Sequence, residues 1–131
     1  SMSDVLLART GATGEVVTNV TGVFHNNFFK VNYDKYKIAK DYLVYILKVN
    51  EIKSHLLMLA GTTTIPDLNH GDFYSLYFLS PPVSEQERAV AILDSLDSGI
   101  EVKLTKLHQT QSLKKSLMQD LLTGKVRVSV N

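Results

Sequence analysis

Residues 81–125 constrain the fold more than any other stretch, because helix start and stop signals bound them about forty residues apart. A Pro-Pro pair disfavours helix at the upstream end, and Ser84 followed three residues later by Glu87 has the form of a capping box. Gly124 lies just past the last apolar residues, where glycine often ends a helix. The pattern predicts one helix of roughly 60 Å, longer than an ordinary domain is wide.

Apolar residues within this helix recur every three or four positions and therefore form one stripe. Lys103, Thr110 and Lys114 interrupt the heptads, so the pattern predicts a short, imperfect coiled coil. Gly99 marks either the close approach of another backbone or a weak point of the helix. The stripe needs a partner beyond the chain's own core, unless the helix folds back on its own domain. The predicted helix-pairing residues are Leu93, Leu96, Ile100, Leu104, Leu107, Leu117 and Leu121.

Composition limits the class of protein. The 131 residues suit one domain plus the long helix, and 44% apolar content excludes a disordered chain. No apolar run is long enough for a membrane span and no secretory signal is visible, so we expect a cytoplasmic protein. With no cysteine there is no disulfide framework. Net charge is +1, and residues 1–80 contain seven basic and seven acidic side chains, so composition gives no support for DNA binding.

The residues before the helix predict a small α+β domain. Short β-favouring runs alternate with turn signals, and one longer segment has helical spacing in one or two pieces. The predicted elements are strands at Asp4–Arg9, Glu15–Val20, Val23–Val31 and Phe73–Leu79, and helix at Lys37–Leu59.

The glycine-containing loop after the first strand is the first candidate site. Two glycines three residues apart, Gly11 and Gly14, let backbone amides approach a ligand closely. With Arg9, Thr10 and Thr13 they could hold phosphate oxygens, which position a protein on DNA without reading its sequence. The alternative is an ordinary hairpin turn.

Further candidates lie outside this loop. Amide side chains suit adenine, although an Asn-Asn pair also shapes turns or bulges. Consecutive threonine hydroxyls can contact phosphates or bases, although such runs are also ordinary strand sequence. These candidate DNA contacts are Asn26, Asn27, Lys30, Thr62, Thr63 and Thr64.

No catalytic or metal-binding pattern is visible. The four histidines are scattered, with no zinc-ligand spacing. No nucleophile elbow, phosphate-binding loop or dinucleotide fingerprint appears. The residues therefore indicate a non-catalytic binding subunit without a metal or cofactor of its own.

Both ends of the long helix resemble a known family. Pro81–Arg88 reads PPVSEQER and Leu117–Val128 reads LMQDLLTGKVRV, which resembles the conserved helical region of type I restriction–modification specificity subunits. Asp4–Val16 is similar to the family's DILLTRxGxxxGKV-like segment, with Glu15 where lysine is often found. Gly61–Asn69 resembles its GSTIPxLN-like segment.

The resemblance implies a partial DNA target-recognition domain at residues 3–80 and a helical dimerisation and spacer region at 81–128, pairing as an antiparallel coiled coil. It implies double-stranded DNA and methyltransferase subunits as partners, with the restriction subunit as a further candidate and S-adenosylmethionine on the methyltransferase. A full specificity subunit has two reading domains and two helices, so we expect a C-terminal fragment or half-subunit that forms a homodimer. The rival hypothesis is an assembly fragment that binds partner subunits without binding DNA.

Overall fold

The computed structural model describes residues 4–23, 26–61 and 67–130. The chain divides into two compact units, residues 1–90 and 91–131, which are described separately. Its elements confirm the predicted α+β class. In chain order they are β1 (Val5–Ala8), β2 (Val16–Thr18), β3 (Phe28–Lys30), α1 (Lys40–Lys48), α2 (Asn50–Ala60), α3 (His70–Tyr74) and α4 (Val83–Leu122).

The first unit contains an antiparallel sheet with strand order β2-β1-β3. Leu7 of β1 lies opposite Val16 on one side and Phe29 on the other. All four residues of β1 are buried, which explains why the central strand is a continuous apolar run. The predicted first two strands are therefore confirmed, with the second shorter than expected.

Two helices cover this sheet. The predicted helical segment forms two pieces, because Val49 between them has extended backbone angles of φ −61° and ψ 134°. Leu43 and Leu47 of α1 and Leu56 of α2 are buried in one cluster with core residues of the sheet. This cluster is the core of the first unit.

Two strand predictions needed correction. The predicted strand at Phe73–Leu79 is wrong: its first residues end α3, and residues 76–80 form no regular structure. The Asn69 side chain caps α3 by accepting a hydrogen bond from the backbone N–H of Asp72 at 2.8 Å, and Phe73 is buried against Phe29. The strand predicted at Val23–Val31 is limited to β3, and residues 24–25 lie outside the described residues.

The predicted N-terminal cap of α4 is also wrong. The helix begins at Val83, and the Pro82 carbonyl accepts from the backbone N–H groups of Glu85 and Gln86 at 2.8 and 3.1 Å. Ser84 therefore lies inside the first turn instead of capping it.

At the other end the prediction is confirmed. The helix ends at Leu122, and Gly124 adopts a φ of +74°, the left-handed region that glycine enters without a Cβ penalty. The backbone N–H of Val126 donates to the Asp120 carbonyl at 3.1 Å, which satisfies one of the terminal carbonyl groups.

The second unit consists of most of α4 and the residues that follow it. Residues 91–119 are all exposed, so the apolar stripe of this unit is not buried. Within the described residues, no helix has the length and apolar character needed to cross a membrane.

Candidate functional site

The loop joining β1 to β2 is the first candidate site, and its backbone is closed by hydrogen bonds. The Ala8 N–H donates to the Glu15 carbonyl at 2.8 Å, and the Gly14 N–H donates to the Ala8 carbonyl at 2.9 Å. The loop therefore has the hairpin geometry of the simpler alternative, and Gly11 and Gly14 have φ values of +75° and +83°. This geometry leaves the tip free to contact a ligand.

The loop residues differ in what they offer to a ligand. Gly11 and Ala12 at the tip are exposed, and Thr10 is half-buried. Thr13 is buried, and its hydroxyl donates to the Arg9 carbonyl at 3.2 Å. The Thr13 hydroxyl thus supports the loop from inside, which the sequence did not reveal.

Arg9 forms a two-bond ion pair with Asp67. Its Nε donates to Oδ1 at 2.9 Å and its Nη2 donates to Oδ2 at 3.0 Å. These hydrogen bonds, together with the attraction between the charges, raise the pKa of Arg9 and lower the pKa of Asp67. The Nη1 donors lie outside this pair, so Arg9 keeps an edge for a second partner.

A second ion pair lies beside the loop. The ammonium group of Lys53 on α2 is 3.0 Å from Oε1 of Glu15. The Cγ atom of Lys53 also lies 3.7 Å from the position that a Cβ on Gly14 would take. Neither Lys53 nor Asp67 is among the residues predicted from the sequence, because no local pattern links either residue to the loop.

The candidates on and near β3 lie on the other side of β1. The Lys30 ammonium is 2.8 Å from Oδ1 of Asp4, at the end of β1 opposite the hairpin loop. Its hydrogen bond is the largest cause of the lowered pKa of Asp4, which is about 2. Asn26 and Asn27 are exposed in a turn, and the Asn27 carbonyl accepts from the backbone N–H of Arg9 at 2.8 Å. The two asparagines therefore flank the start of the hairpin loop.

Thr62, Thr63 and Thr64 lie outside the described residues. On either side of them, the backbone N–H of Asp67 donates to the Ala60 carbonyl at 3.2 Å. The backbone N–H of Leu68 donates to the Arg9 carbonyl at 3.0 Å. The chain therefore leaves this segment directly beside the hairpin loop.

The second candidate site is the apolar stripe of α4. None of its seven predicted residues is buried, and their exposed fractions range from 38% to 59%. Among the described residues outside α4, no heavy atom lies within 4 Å of the position that a Cβ on Gly99 would take. The stripe is thus an accessible apolar surface of a kind that marks protein contacts.

Over the ranges that the structure describes, no group of three His, Asp or Glu side chains is arranged to hold a metal ion. The candidate sites therefore consist of a charge-paired hairpin loop and an exposed helical stripe.

The first unit thus has a small sheet with a hairpin loop, and α4 has an exposed apolar stripe. The family model for the type I restriction modification DNA specificity domain matches residues 2–115. The chain belongs to this family.

Curated relatives agree with this assignment. The chain is 34% identical over 92 residues to the type I restriction enzyme MjaVIII specificity subunit of Methanocaldococcus jannaschii. It is 32% identical over 95 residues to the putative type I restriction enzyme MjaX specificity subunit of the same organism. These matches cover 70% and 72% of the chain and 22% of each relative, so the chain spans about a fifth of their length.

Proposed function

We propose that this chain is a DNA sequence-specificity module of a type I restriction–modification enzyme. Residues 3–80 act as a partial target-recognition domain, and residues 81–128 act as its dimerisation and spacer helix. The family match over residues 2–115 carries this proposal, because it covers both the sheet unit and most of α4. The module works on DNA in the cytoplasm.

The DNA-contacting surface is the hairpin loop with its flanks. The exposed backbone at Gly11 and Ala12 suits phosphate oxygens, and Thr10 and the free edge of Arg9 lie beside it. Buried Thr13 and Gly14 keep the loop in shape. Asn26 and Asn27 lie beside the start of the loop and are further candidate contacts. Lys30 pairs with Asp4 at the opposite end of β1 and is a separate candidate contact. Thr62, Thr63 and Thr64 lie outside the described residues and stay predicted contacts.

Ion pairing of the candidate cations limits the affinity of this unit for DNA. Arg9, Lys53 and Lys30 each lie within 3.0 Å of a carboxylate, so each cation is already partly neutralised. Sequence-independent binding to DNA depends on free Lys and Arg charges. A single copy should therefore bind DNA weakly, and two copies or a partner subunit are needed for useful affinity.

The charge distribution along α4 supports pairing of two copies in antiparallel orientation. Residues 91–101 contain three carboxylates and no basic residue, whereas residues 102–122 contain four lysines and one carboxylate. The helix dipole acts on charges only within the first and last turns, so it does not account for this separation of charges along the helix. Antiparallel pairing places the acidic half of each helix beside the lysine-rich half of its partner, whereas parallel pairing places like charges together.

The resulting homodimer carries two reading domains and recognises a two-part DNA site. The methyltransferase subunits dock on the helical region and supply catalysis, with S-adenosylmethionine bound to them. The chain itself is not an enzyme in this proposal, because its role is to choose the site.

A second candidate function is favoured by the same neutralised cations. An assembly fragment that binds partner subunits through α4 has no need of a free basic surface, and the hairpin loop of this chain is charge-compensated. The two functions differ in their response to salt, because phosphate contact predicts an affinity that falls steeply with log salt concentration.

The test is a selection from a random duplex pool, using the chain together with the methyltransferase subunit of its own system. Enrichment of a two-part motif with a fixed gap supports the specificity module. A stable protein complex that enriches no motif and shows no duplex binding at low salt contradicts DNA reading and favours the assembly fragment.

A matched pair of variants links the result to the hairpin loop. Arg9→Ala removes the cation at the loop and should weaken duplex binding. Lys48→Ala removes one exposed cation at the end of α1 and should leave binding close to wild type. Equal losses in both variants would indicate a non-specific charge effect.

A further inference from the structure

Gln86 is completely buried although it lies at the start of a helix whose neighbouring positions face solvent. Its exposed fraction is 0%, whereas Glu85 and Glu87 on either side are exposed. Glutamine is seldom fully buried, and a buried amide is costly unless its hydrogen bonds are made. The position therefore requires an explanation.

The Gln86 side chain joins two separate backbone segments of the first unit. Its Oε1 accepts from the backbone N–H of Ala39 at 2.8 Å. Its Nε2 donates to the Lys37 carbonyl at 2.8 Å and to the Pro81 carbonyl at 2.7 Å. Ser80 Oγ lies 3.4 Å from the same nitrogen. The amide thus connects the residues just before α1 to the residues just before α4.

A second hydrogen bond connects the same two regions. The Tyr42 hydroxyl on α1 donates to the carbonyl of Leu79 at 2.9 Å. This bond holds the chain that leads into α4, whereas Gln86 holds the first turn of α4 itself. The entry into the helix is therefore fixed on both sides of the Pro-Pro pair.

The chemistry at this position selects glutamine. A glutamate could still accept from Ala39, but its carboxylate could donate to neither carbonyl, and it would bury a charge. An apolar side chain of similar size would leave the Ala39 N–H and the two carbonyls without their partner. A residue chosen only to fill space would not need this set of donors and acceptor.

We propose that Gln86 is a positioning residue that fixes the start of α4 to the reading domain and thereby sets a single gap length in the two-part DNA site. This inference rests on the proposed function, because the gap exists only if two reading domains bind DNA. Gln86 itself makes no DNA contact in this proposal. The bases of each half-site depend on the hairpin surface and not on Gln86.

The first experiment measures the attachment without DNA. The chain has no cysteine, so Ser54→Cys and Ser98→Cys, both at exposed positions, give two unique spin-label sites. The labelled full-length chain is diluted with unlabelled chain, and the distance between its two spin labels is measured by electron–electron resonance. With Gln86 in place, the distribution of this distance should be narrow. Gln86→Met should broaden it, and Gln86→Glu provides a second variant that retains the acceptor.

The matched control is Gln109→Met, the same substitution at an exposed position of α4. It should leave the distribution narrow. A distribution that is already broad with Gln86 present, or one that stays narrow in both Gln86 variants, would overturn the positioning role.

The second experiment repeats the duplex selection with the methyltransferase complex. The wild type and Gln109→Met should enrich one gap length, whereas Gln86→Met should enrich the same half-site bases with several gap lengths. A single unchanged gap in Gln86→Met overturns the inference while DNA reading stands. If the wild type enriches no motif, the proposed function and the gap-length claim both fail, and the spin-label result decides whether Gln86 fixes the helix.

Discussion

The ammonium group of Lys53 lies 3.0 Å from the carboxylate of Glu15. Glu15 occupies the position at which similar segments often carry lysine. The two residues are 38 positions apart, and Lys53 comes from α2. The fold thus places a cation beside the hairpin loop even though the loop sequence has a carboxylate there. The ion pair holds that cation in a compensated state.

Glu15→Gln should strengthen DNA binding, because it removes a negative charge and releases Lys53. We expect tighter duplex binding at low salt and a slope of log affinity against log salt that is steeper by about one unit, the value for about one added phosphate contact. Fluorescence anisotropy across a salt series measures both quantities.

Glu51→Gln is the control for this prediction, since it removes an exposed carboxylate from the first turn of the same helix. It should change the slope less than Glu15→Gln does. Equal changes would assign the effect to net charge and not to the hairpin loop.

Acid should destabilise the sheet unit through its paired carboxylates. The pKa of Asp4 is lowered from 3.8 to about 2, with the hydrogen bond from Lys30 as the largest cause, and the pKa of Asp67 is lowered by Arg9. A lowered pKa means that the stabilisation is complete above the unfolded-state pKa and is lost as pH falls through the folded-state value. The unfolding temperature should therefore fall between about pH 4 and about pH 2.

Circular dichroism of thermal unfolding over that pH range tests this prediction. Asp4→Asn should show a smaller fall than the wild type, because it has one paired carboxylate fewer to protonate. Glu101→Gln removes an exposed carboxylate from α4, and its unfolding temperature should fall with pH as that of the wild type does. If Asp4→Asn and the wild type fall in parallel, the Lys30 pair does not contribute to acid stability.

Ile100→Asp combined with Leu107→Asp should abolish the proposed helix-paired dimer. Both side chains are more than half exposed, at 56% and 53%, so the change should not disturb the buried core of the sheet unit. Burying two charged groups in a helix interface would be strongly unfavourable. Light scattering should report the mass of a single chain.

The double variant Val102→Asp with Thr105→Asp serves as the control. Each residue is two positions from a stripe residue, which places it about 200° around the helix. This variant should keep the dimer mass. An unchanged dimer mass in the stripe variant would sink the pairing proposal.

Gly99→Ala should stabilise α4. Among the described residues outside α4, no heavy atom lies within 4 Å of the added Cβ, and alanine is favoured over glycine in a helix interior by about 1 kcal/mol. The variant should therefore unfold at a higher temperature than the wild type at concentrations where the chain is monomeric. Ser98→Ala, at the adjacent exposed position, should give a smaller gain.

The same Gly99 variant examines the pairing surface. A weaker dimer alongside a more stable helix would show that a partner backbone lies against Gly99. An unchanged dimer would show that the glycine is only a weak point of the helix. A lower unfolding temperature of the monomer would contradict the prediction.

Local signals in the sequence determined the long helix and the fold class. The Pro-Pro pair and Gly124 act within a few residues of themselves, so their effects on the ends of α4 could be predicted from the sequence. The apolar run of β1 and the glycine loop after it likewise specify a hairpin locally. Family membership followed from motifs that lie within such local stretches.

Two local signals were misread because another interaction outweighed them. The alternation from Phe73 onward suggested a strand, but the Asn69 cap and the contact between Phe73 and Phe29 favour a short helix. Ser84 resembled a cap, but the helix begins one residue earlier, at Val83, with the Pro82 carbonyl as its first acceptor. A capping pattern in the sequence does not by itself establish which residue forms the cap.

The sequence by itself determined where α4 ends, where the hairpin lies and which family the chain belongs to. Only the tertiary structure decided which charges meet and which polar group is buried. Asp67 joins Arg9 across 58 positions, and Gln86 joins Ala39 across 47. Such contacts depend on how the core cluster brings distant segments together, and neither local propensity nor periodicity contains that information.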